Sequence, residues 1–586
     1  MEHMAGVAGM AQVFALPHAA PHALKAPSLL TSLVATATVG ALLAAAATPP
    51  ARAQAPGTQP GQIERQFQQP PQPRALPGQF QIPMPSLTPP AGSEGIRFRL
   101  RGISLDGMTL YPADSWPADY QGLFGREVSL ADIYAFANAL TARYRNDGYI
   151  LSQVIVPAQT VEQGYVRLQA VEGYLAEVRF EGGTPSALMK AQAEALRAQR
   201  PLRAETLERA LLLMNDQPGT FARAVLVASA TPGASDLVVQ SSAQAVTAGL
   251  SLDNRGGRAL GPLRATLDME QRGLLGVGDR TGLRAVAAEK GELKYIAFSH
   301  EQAVGHDGTR AGLGLSRVRS RPDTGTSFIP LDLETSSDSA ALTLSHPFLR
   351  GRHENRSARV SLTAHNGHTN LFGVRDTEDR IRALRVGLAW DLADAARGIN
   401  LVDIELARGF EGAGSSRAGD PLLSRAGGKP AFTKLGLYAA RLQGFAPQWS
   451  LLAALSAQVA LDDLLSPELF SFGGEQFGRG YDPSELVGDH GAALKLEVRY
   501  SFGAGAPGSW FGGATLYGFY DAGQVRQRSP GGLAAQQSAS SAGLGVRFEL
   551  QRWLSGYLEA AKPLSRIVSA EGDRDPRAYA GLALRY

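Results

Sequence analysis

From residue 246 to the end of the chain, apolar and polar side chains alternate with a period of two. Residues 494–500, for example, read Leu-Lys-Leu-Glu-Val-Arg-Tyr. Because successive side chains of a β-strand point to opposite faces, this pattern predicts strands with one apolar face and one face that carries charges of both signs. We count sixteen such segments of about ten residues, a length that suits a tilted strand crossing the hydrocarbon layer of a membrane.

The predicted connections between these segments differ in length on the two sides of the sheet. They run to 2–9 residues on one side and mostly 7–29 on the other, with one short exception near Gly291. Short periplasmic turns and long external loops are typical of outer-membrane barrels. A soluble β-sandwich also alternates, but the even strand number, the strand length and the loop asymmetry favour an antiparallel transmembrane β-barrel over residues 246–586. Closure of the barrel satisfies every backbone group in lipid.

The last predicted strand ends the chain on an aromatic residue. Leu582, Leu584 and Tyr586 share one face of this strand. Outer-membrane barrels have a similar terminal strand, which their assembly machinery recognises. These three residues are therefore the candidate assembly signal, and the expected partners include outer-membrane lipid and the barrel-assembly machinery.

The first half of the chain has a different pattern, with helical spacing as well as strands. Residues 96–173 and 174–245 form two consecutive units that we predict as β-α-α-β-β, an internal repeat. In the first unit a strand is predicted over residues 98–103, and a helix begins at Ser129 with Asp132 as an imperfect capping box. The second unit has helix candidates over residues 185–198 and 204–216. Each unit suits binding, and neither holds a cluster of chemical groups.

The N-terminus predicts export. Residues 28–47 are apolar, and Ala51-Arg-Ala53 follows as a small-x-small cleavage site, so residues 1–53 are interpreted as a signal peptide. An uncleaved anchor is the alternative. Residues 54–95 contain ten prolines and many glutamines and are interpreted as an extended linker. Residues 62–69 lack proline and have room for two helical turns.

Composition removes several classes of function. The net charge of +3 argues against a nucleic-acid binder, and the absence of cysteine excludes disulfides and thiolate sites. Residues 503–508 match a dinucleotide fingerprint in spelling, but they lie between two predicted strands with no helix after them, which favours a turn. The histidines show no metal spacing. The prediction is therefore a protein without enzymatic activity, cofactor or metal.

Two motifs remain, one in the longest predicted external loop and one in a strand. The loop, residues 462–490, contains Phe-Gly-Gly-Glu-Gln-Phe-Gly-Arg-Gly-Tyr at 472–481, and the strand contains Phe-Tyr-Asp-Ala-Gly at 519–523. By parity, Phe519 and Asp521 face the lumen. The candidate loop residues are Gly473, Gly474, Arg479, Gly480 and Tyr481, and the candidate strand residues are Phe519, Asp521 and Gly523.

With two POTRA-like units before sixteen strands, these motifs resemble the two-partner-secretion transporters, also called the TpsB or haemolysin secretion/activation family. Arg479-Gly-Tyr481 is similar to that family's (V/I)-R-G-(Y/F) motif and the strand segment to its F-x-D-x-G motif. Gly478 stands where the family usually has Val or Ile, which we expect to loosen the tip of the loop. The resemblance covers roughly residues 96–586 and implies that Arg479 reaches into the lumen and pairs with Asp521.

The resemblance also implies a function and a location. The POTRA units, in the periplasm, would capture a dedicated secreted partner protein, and the barrel would pass it unfolded to the cell surface without nucleotide hydrolysis. Residues 62–69 resemble the family's N-terminal plug helix in position. Two alternatives remain: an assembly factor of the same superfamily that inserts other barrels, and a passive porin, which has no use for two periplasmic units.

Overall fold

The computed structural model describes residues 57–586 except 69, 75–87, 113–114, 116–119, 232, 324–331, 504–509 and 530–533. The predicted signal peptide therefore lies outside the described residues, as does most of the second half of the linker. Before the barrel the described elements are α1 (Pro60–Arg65), β1 (Arg97–Arg99), β2 (Gly102–Asp106), β3 (Glu127–Ser129), α2 (Leu130–Asn146), β4 (Gln153–Ile155), β5 (Tyr165–Val171), β6 (Tyr174–Glu181), α3 (Ala187–Ala198), α4 (Ala204–Asn215), β7 (Thr220–Ala228) and β8 (Ala234–Ala243).

The two N-terminal units share a sheet topology. In the first, the strand order is β2-β5-β4, and in the second it is β6-β8-β7; the first pair of each is parallel and the second antiparallel. The helices pack on one face of each sheet and bury separate apolar cores. Each unit therefore has its own hydrophobic core, as a repeat requires.

The first unit differs from its prediction in two places. The strand expected over residues 98–103 is wrong, because the chain changes partner at Leu100: β1 pairs with β3, whereas β2 pairs with β5. The described part of residues 96–173 contains a single α-helix, α2, rather than two. That helix begins as predicted, since the Ser129 hydroxyl accepts from the Asp132 N–H at 3.2 Å and the Asp132 carboxylate accepts from the Ser129 N–H at 2.8 Å.

The second half of the chain forms the predicted closed antiparallel barrel of sixteen strands. Its strands are β9 (Val246–Asp253), β10 (Arg264–Arg272), β11 (Arg280–Ala288), β12 (Leu293–Ala303), β13 (Arg310–Ser320), β14 (Leu333–Arg350), β15 (Glu354–Leu371), β16 (Val374–Ala393), β17 (Gly398–Gly409), β18 (Thr433–Ala446), β19 (Trp449–Ala460), β22 (His490–Phe502), β23 (Gly513–Arg526), β24 (Gln536–Gln551), β25 (Leu554–Pro563) and β26 (Arg577–Arg585). Two short strands, β20 (Phe470–Phe472) and β21 (Leu486–Gly488), lie inside one loop and pair with each other.

The barrel closes where its last strand meets its first. Leu582 pairs with Leu252 and Leu584 with Leu250, and these side chains are exposed on the outer surface. The N–H of Tyr586 donates to the carbonyl of Ala248 at 2.8 Å. The terminal strand thus presents an apolar stripe outwards while its backbone completes the ladder.

One end of the barrel, here called the near end, carries the two N-terminal units; the other is the far end. The predicted length asymmetry has one further exception at the far end. Strands β14, β15 and β16 run to 18, 18 and 20 residues, and only residues 372–373 join the last two. Both turn residues have positive φ, 50° and 74°, as a two-residue hairpin requires. Longer strands here replace the long loop that we expected.

The second N-terminal unit packs directly against the near end. Arg350, at the end of β14, donates to both carboxylate oxygens of Asp216 at 2.7 and 2.8 Å. Arg209 of α4 donates to the backbone carbonyls of Asp307, in the near-end turn between β12 and β13, and of Pro347, close to the end of β14. Within the part of the chain that the structure describes, no α-helix is both long enough and apolar enough to cross a bilayer.

Candidate functional site in the barrel lumen

The connection between β19 and β22, residues 461–489 and here called loop six, folds back into the barrel. Its two strands β20 and β21 form a hairpin that packs against the inner wall. The aromatic side chains of Phe470, Phe472, Phe477 and Tyr481 form one apolar cluster, which also contains Val525 on the wall. The glycine-rich and aromatic sequence of the loop is therefore explained by packing inside the barrel rather than by exposure to solvent.

Arg479, at the tip of loop six, lies against Asp521 on β23. The Arg479 Nε donates to Asp521 Oδ2 at 3.0 Å, and its Nη2 donates to Oδ1 at 2.9 Å, a bidentate pair. The backbone N–H groups of Gly478 and Arg479 also donate to Oδ2, at 3.1 and 3.0 Å. Both side chains are buried, with exposed fractions of 2% and 0%. Asp521 therefore holds the backbone as well as the guanidinium of the loop tip.

Further charged wall residues, which sequence reasoning did not single out, complete the surroundings of Arg479. Its Nη1 donates to Glu497 of β22 at 2.5 Å, and Glu497 also accepts from Arg547 of β24 at 2.8 Å. Glu559 of β25 lies 3.9 Å from the same Nη1 and accepts from Tyr517. We call Arg479, Asp521, Glu497, Arg547 and Glu559 the tip cluster. It joins loop six to four consecutive strands of the barrel.

Phe519 contributes to this cluster through its ring. The guanidinium carbon of Arg479 lies 3.5 Å from the Phe519 ring centroid, a cation–π contact in addition to the ion pairs. Phe519 and Asp521 both point inwards from β23, whereas Tyr520 between them is exposed on the outer surface. Two residues of the strand motif, Phe519 and Asp521, therefore both contact the Arg479 guanidinium, one through its ring and the other through its carboxylate.

The glycines of the two motifs make room for close contacts. A Cβ on Gly523 would overlap the Phe472 ring, and one on Gly480 would lie 2.8 Å from Ser541. Gly473 and Gly474 both have positive φ, 120° and 95°, at the turn where the loop reverses beside Asp482 and Pro483. These positions therefore need glycine for space or for backbone conformation.

Gly478, which departs from the family motif, does not loosen the loop tip. Its φ is 88°, in the left-handed region that favours glycine, and a Cβ would lie 2.7 Å from the Phe472 ring. Its N–H donates to Asp521. The expectation that this glycine loosens the loop tip was therefore wrong. Gly478 allows a tight turn that a β-branched residue would obstruct.

Tyr481 and Asp482 fasten the other side of the loop tip. The Tyr481 hydroxyl donates to the Ser540 carbonyl at 3.0 Å, and its ring is buried among the aromatic cluster. Asp482 accepts from Arg577 of β26 at 2.5 Å and from the N–H of Arg258 at 3.2 Å. Loop six therefore also reaches the last strand, β26, and the connection that follows the first strand, β9.

A second anchor lies at the far end, where loop six returns to β22. Asp489 is fully buried and accepts from both terminal nitrogens of Arg425, at 2.8 and 3.0 Å. Burial raises the pKa of Asp489, but the hydrogen bonds from Arg425 and from the N–H groups of Arg528 and Leu464 outweigh it and hold that pKa below the usual value. This ionised carboxylate ties three far-end loops together.

The helix α1 lies in the lumen beside loop six; it spans Pro60–Arg65, whereas the sequence predicted two helical turns over residues 62–69. Glu64 accepts from Ser316 at 2.5 Å and from Ser339 at 2.7 Å, and it lies 3.5 Å from His365. Arg65 donates to the carbonyls of Leu469 and Ser466 in loop six. The helix therefore bridges the wall formed by β13–β15 and the inserted loop.

The part of the lumen that α1 and loop six leave open is lined by polar and charged side chains. A cavity of about 1430 Å³ is lined by α1, loop six and inward side chains of both charge signs, including Asp268, Arg284, Arg359 and Asp403. Among the described residues there is no group of three or more His, Asp or Glu side chains arranged to hold a metal ion. The arrangement suits a hydrated passage that two inserted segments obstruct.

Comparison with known proteins agrees with this geometry. The family model described as "Haemolysin secretion/activation protein ShlB/FhaC/HecB" matches residues 233–548, more than half of the chain. The chain belongs to this family. A second model, "POTRA domain, ShlB-type", matches residues 98–173. Members of the ShlB/FhaC/HecB family lie in the bacterial outer membrane with their POTRA domains in the periplasm, so the near end faces the periplasm and the far end faces the outside.

Individual relatives are more distant. The heme/hemopexin transporter protein HuxB of Haemophilus influenzae (strain 86-028NP) is 26% identical over 275 residues, which cover 46% of this chain and 48% of that protein. The match therefore spans about half the length of that relative. The outer membrane transporter CdiB of Dickeya dadantii is 22% identical over 80% of this chain and 84% of its own. The solved structure of CdiB from Escherichia coli has a TM-score of 0.70 at 19% identity, covering 85% of this chain and 92% of that one, and supports the fold.

Proposed function

We propose that this chain is an outer-membrane pore that captures one dedicated secreted partner protein in the periplasm and passes it, unfolded, to the cell surface. The observation that carries the proposal is the pair of segments held inside the barrel. Helix α1 touches one wall, loop six is fixed to the opposite wall by the tip cluster, and the two touch each other. An extended chain needs at least one of them to move, so the polar contacts act as a gate.

Loop six and α1 have apolar anchors, but the tip cluster and the contacts of Glu64 and Arg65 are polar, and this polar part supports a gate that opens. Water entering the lumen competes for ion pairs and hydrogen bonds, whereas a closely packed apolar plug has no such alternative partners. Breaking a well-buried pair costs about 3–5 kcal/mol, and a hydrated lumen lowers that cost. The family's periplasmic domains give a reason for opening, since capture of the partner would supply binding energy next to the near end.

The proposed capture site is a sheet edge of the POTRA units. In the second unit the order β6-β8-β7 leaves β7 at an edge, and Phe221 and Val225 are exposed along it. An extended segment of the partner can add as a strand, with backbone hydrogen bonds for affinity and alternate side chains for selectivity. No nucleotide is required, because folding of the partner outside the cell opposes its return.

The test of this function compares the proteins in the growth medium and in the outer membrane with and without this chain. We expect the loss of one large secreted protein from the medium, with the outer membrane unchanged. A broad fall in outer-membrane barrels would instead identify an assembly factor of the same superfamily. Loss of neither would contradict dedicated export and favour a passive porin.

The role of the tip cluster has its own prediction. Arg479→Ala removes the partner of Asp521 and Glu497, so we expect the barrel to remain in the membrane while export of the partner protein falls at least about tenfold. The matched control is Asp403→Asn. Asp403 is a carboxylate on the lumenal wall that accepts two hydrogen bonds from Arg359, at 2.6 and 2.8 Å, and it lies away from the loop tip. Export is measured as secreted partner per unit of barrel. Normal export by the Arg479 variant would contradict a role for the cluster.

A further inference from the structure

Three basic side chains project from the outer surface of the barrel near its far end. Lys294 lies on β12, and Arg317 and Arg319 lie on β13; all three are exposed. Their immediate neighbours Tyr295 and Ser316 line the lumen, so alternation along each strand places the three cations on the side that faces lipid. They lie next to the far-end turn at residues 289–292 and to the loop that follows β13.

Two of these cations face each other and have no hydrogen-bonded or ion-paired partner among the described residues. Lys294 and Arg319 are directly opposite in the antiparallel register of β12 and β13, and we call them the rim pair. Neither forms a hydrogen bond or ion pair with any described residue, whereas Arg317 is held by Asp338 at 2.5 and 3.0 Å. Like charges directly opposite on one face destabilise a sheet. The Asp338 carboxylate also attracts Arg319, but it is already paired with Arg317, so the two adjacent positive charges have no carboxylate of their own among the described residues.

The rim pair lies at the edge of the apolar band of the barrel. One register step towards the near end, Ile296 lies beside Arg317, and one step further Phe298 pairs with Leu315. Ile296, Phe298 and Leu315 are exposed large apolar side chains on the same outer face. Where such a band ends at the far side, the headgroups of the outer leaflet begin. The rim pair thus lies at headgroup level.

We propose that the rim pair binds a phosphate monoester on the headgroup of an anionic glycolipid in the outer leaflet. A single phosphate between the two strands neutralises both charges with charge-assisted hydrogen bonds, and Arg is well suited to fork onto its oxygens. Ser336, next to Arg319 in the register of β14, presents a hydroxyl on the same face. The acyl chains then lie along Ile296, Phe298 and Leu315. This inference depends on the location of the barrel and not on what it transports.

If the rim pair binds this phosphate, one double variant should affect the unfolding temperature differently in the absence and in the presence of the lipid. In Lys294→Gln/Arg319→Gln, the repulsion between the two strands is gone, so in neutral detergent micelles we expect the full-length chain to unfold at the same or a higher temperature than the parent. With diphosphorylated lipid A added, the parent is stabilised and the double variant is not. Each cation near an anionic surface contributes about fivefold in affinity, so the variant binds roughly 30-fold more weakly.

The experiment measures the unfolding temperature of the barrel, together with the number of bound lipids by native mass spectrometry, during titration with lipid A. Arg356→Gln is the matched control, because Arg356 is exposed at the near end of β15 and already pairs with Glu354 at 2.8 Å. Lys294→Arg/Arg319→Lys, which keeps both charges, should retain binding. Dephosphorylated lipid A and inorganic phosphate identify the required group.

Four outcomes decide the matter. Stabilisation by phosphorylated lipid A that the double variant loses and the charge-retaining variant keeps supports the proposal. Equal stabilisation of the parent and the double variant overturns it. Equal effects of phosphorylated and dephosphorylated lipid overturn the role of the phosphate. Equal effects of inorganic phosphate and lipid A at the same phosphate concentration overturn the lipid as the ligand.

Discussion

All three side-chain nitrogens of Arg479 donate hydrogen bonds, and the carboxylates that accept them come from different strands. Asp521 is two residues from Phe519 on β23, while Glu497 lies on β22 and is shared with Arg547 of β24. Removing Asp521 would therefore leave Arg479 and Arg547 sharing Glu497, with Glu559 3.9 Å from Arg479. At the scale of the residue, the balance of charge in the tip cluster depends on both carboxylates.

Gly478 provides a prediction at this scale, because the family usually has Val or Ile there. Gly478→Val restores the common residue but forces a side chain into positive φ and against Phe472, so we expect the loop tip to be destabilised by about 1–3 kcal/mol or more. The measurement is the rate at which protease cleaves loop six in the folded barrel. Gly276→Val is the control, since Gly276 has φ 74° with open space around it. Unchanged protection of loop six in the Gly478 variant would contradict the packing argument.

At the scale of the element, two segments with little regular secondary structure, α1 and loop six, obstruct the lumen of the barrel. Helix α1 has only six residues, too few to be stable alone in water, so its contacts with the barrel must hold it in place. Ile63 is completely buried against Leu260, Leu293 and Val318, and Phe67 stacks on Tyr295 with ring centroids 4.5 Å apart. Its apolar anchor is thus on the same wall as its polar anchor.

Deletion of residues 57–68 should therefore open the pore. We expect a several-fold rise in ion conductance in planar bilayers, with the barrel still folded, because the barrel strands close without α1. Glu64→Ala removes the contacts to Ser316 and Ser339 and should raise the fraction of time spent open by a smaller factor. Gln72→Ala is the control, since this linker residue is exposed and, among the described residues, hydrogen-bonds only to the carbonyl of Pro70. Conductance equal to that of the parent after deletion would mean that loop six alone obstructs the pore.

At the scale of the whole molecule, the periplasmic domains are joined to the barrel by more than the covalent chain. Asp216 of the second POTRA unit is held by Arg350, which also donates to Asn355, and Asn355 donates to Asp391 at 2.8 Å. The backbone N–H of Arg74 donates to Asp391 as well, at 3.1 Å. The linker from α1 therefore leaves the lumen at the same place where the POTRA unit is attached.

Asp216→Asn should weaken that junction without affecting the barrel. Because Arg350 is 6% exposed and loses its charged partner, we expect a broader distribution of distances between spin labels on β8 and on the turn at residues 394–397, and lower export. The unfolding temperature of the barrel should stay within a few degrees of the parent. Arg197→Ala is the control, since Arg197 forms an exposed pair with Glu194 inside α3. An unchanged distance distribution would show that other contacts fix the domain.

The alternating strand pattern and the number of barrel strands, sixteen, were predictable from sequence, because both depend on local alternation of side chains between two faces. The repeat of the two N-terminal units was predictable from the recurring order of helical and strand patterns. The loop stood out in the sequence only through its glycine and aromatic residues, and the pairing of Arg479 with Asp521 was implied by the family resemblance. Glu497 gave no such signal: it is one of several charges in an alternating strand. Its role depends on β22, β23 and β24 lying side by side in one register.

The sequence by itself thus determined the class of fold, the inward and outward faces of each strand and the residue types that meet in the lumen. Only the tertiary structure decided which charges are paired and which are left over. Closure of the barrel brings Arg255 of the first loop next to Glu559 near the end of the chain, at 2.8 Å, and it leaves Lys294 opposite Arg319. Those outcomes depend on strand register and barrel closure, which join residues far apart in the chain and which no local pattern encodes.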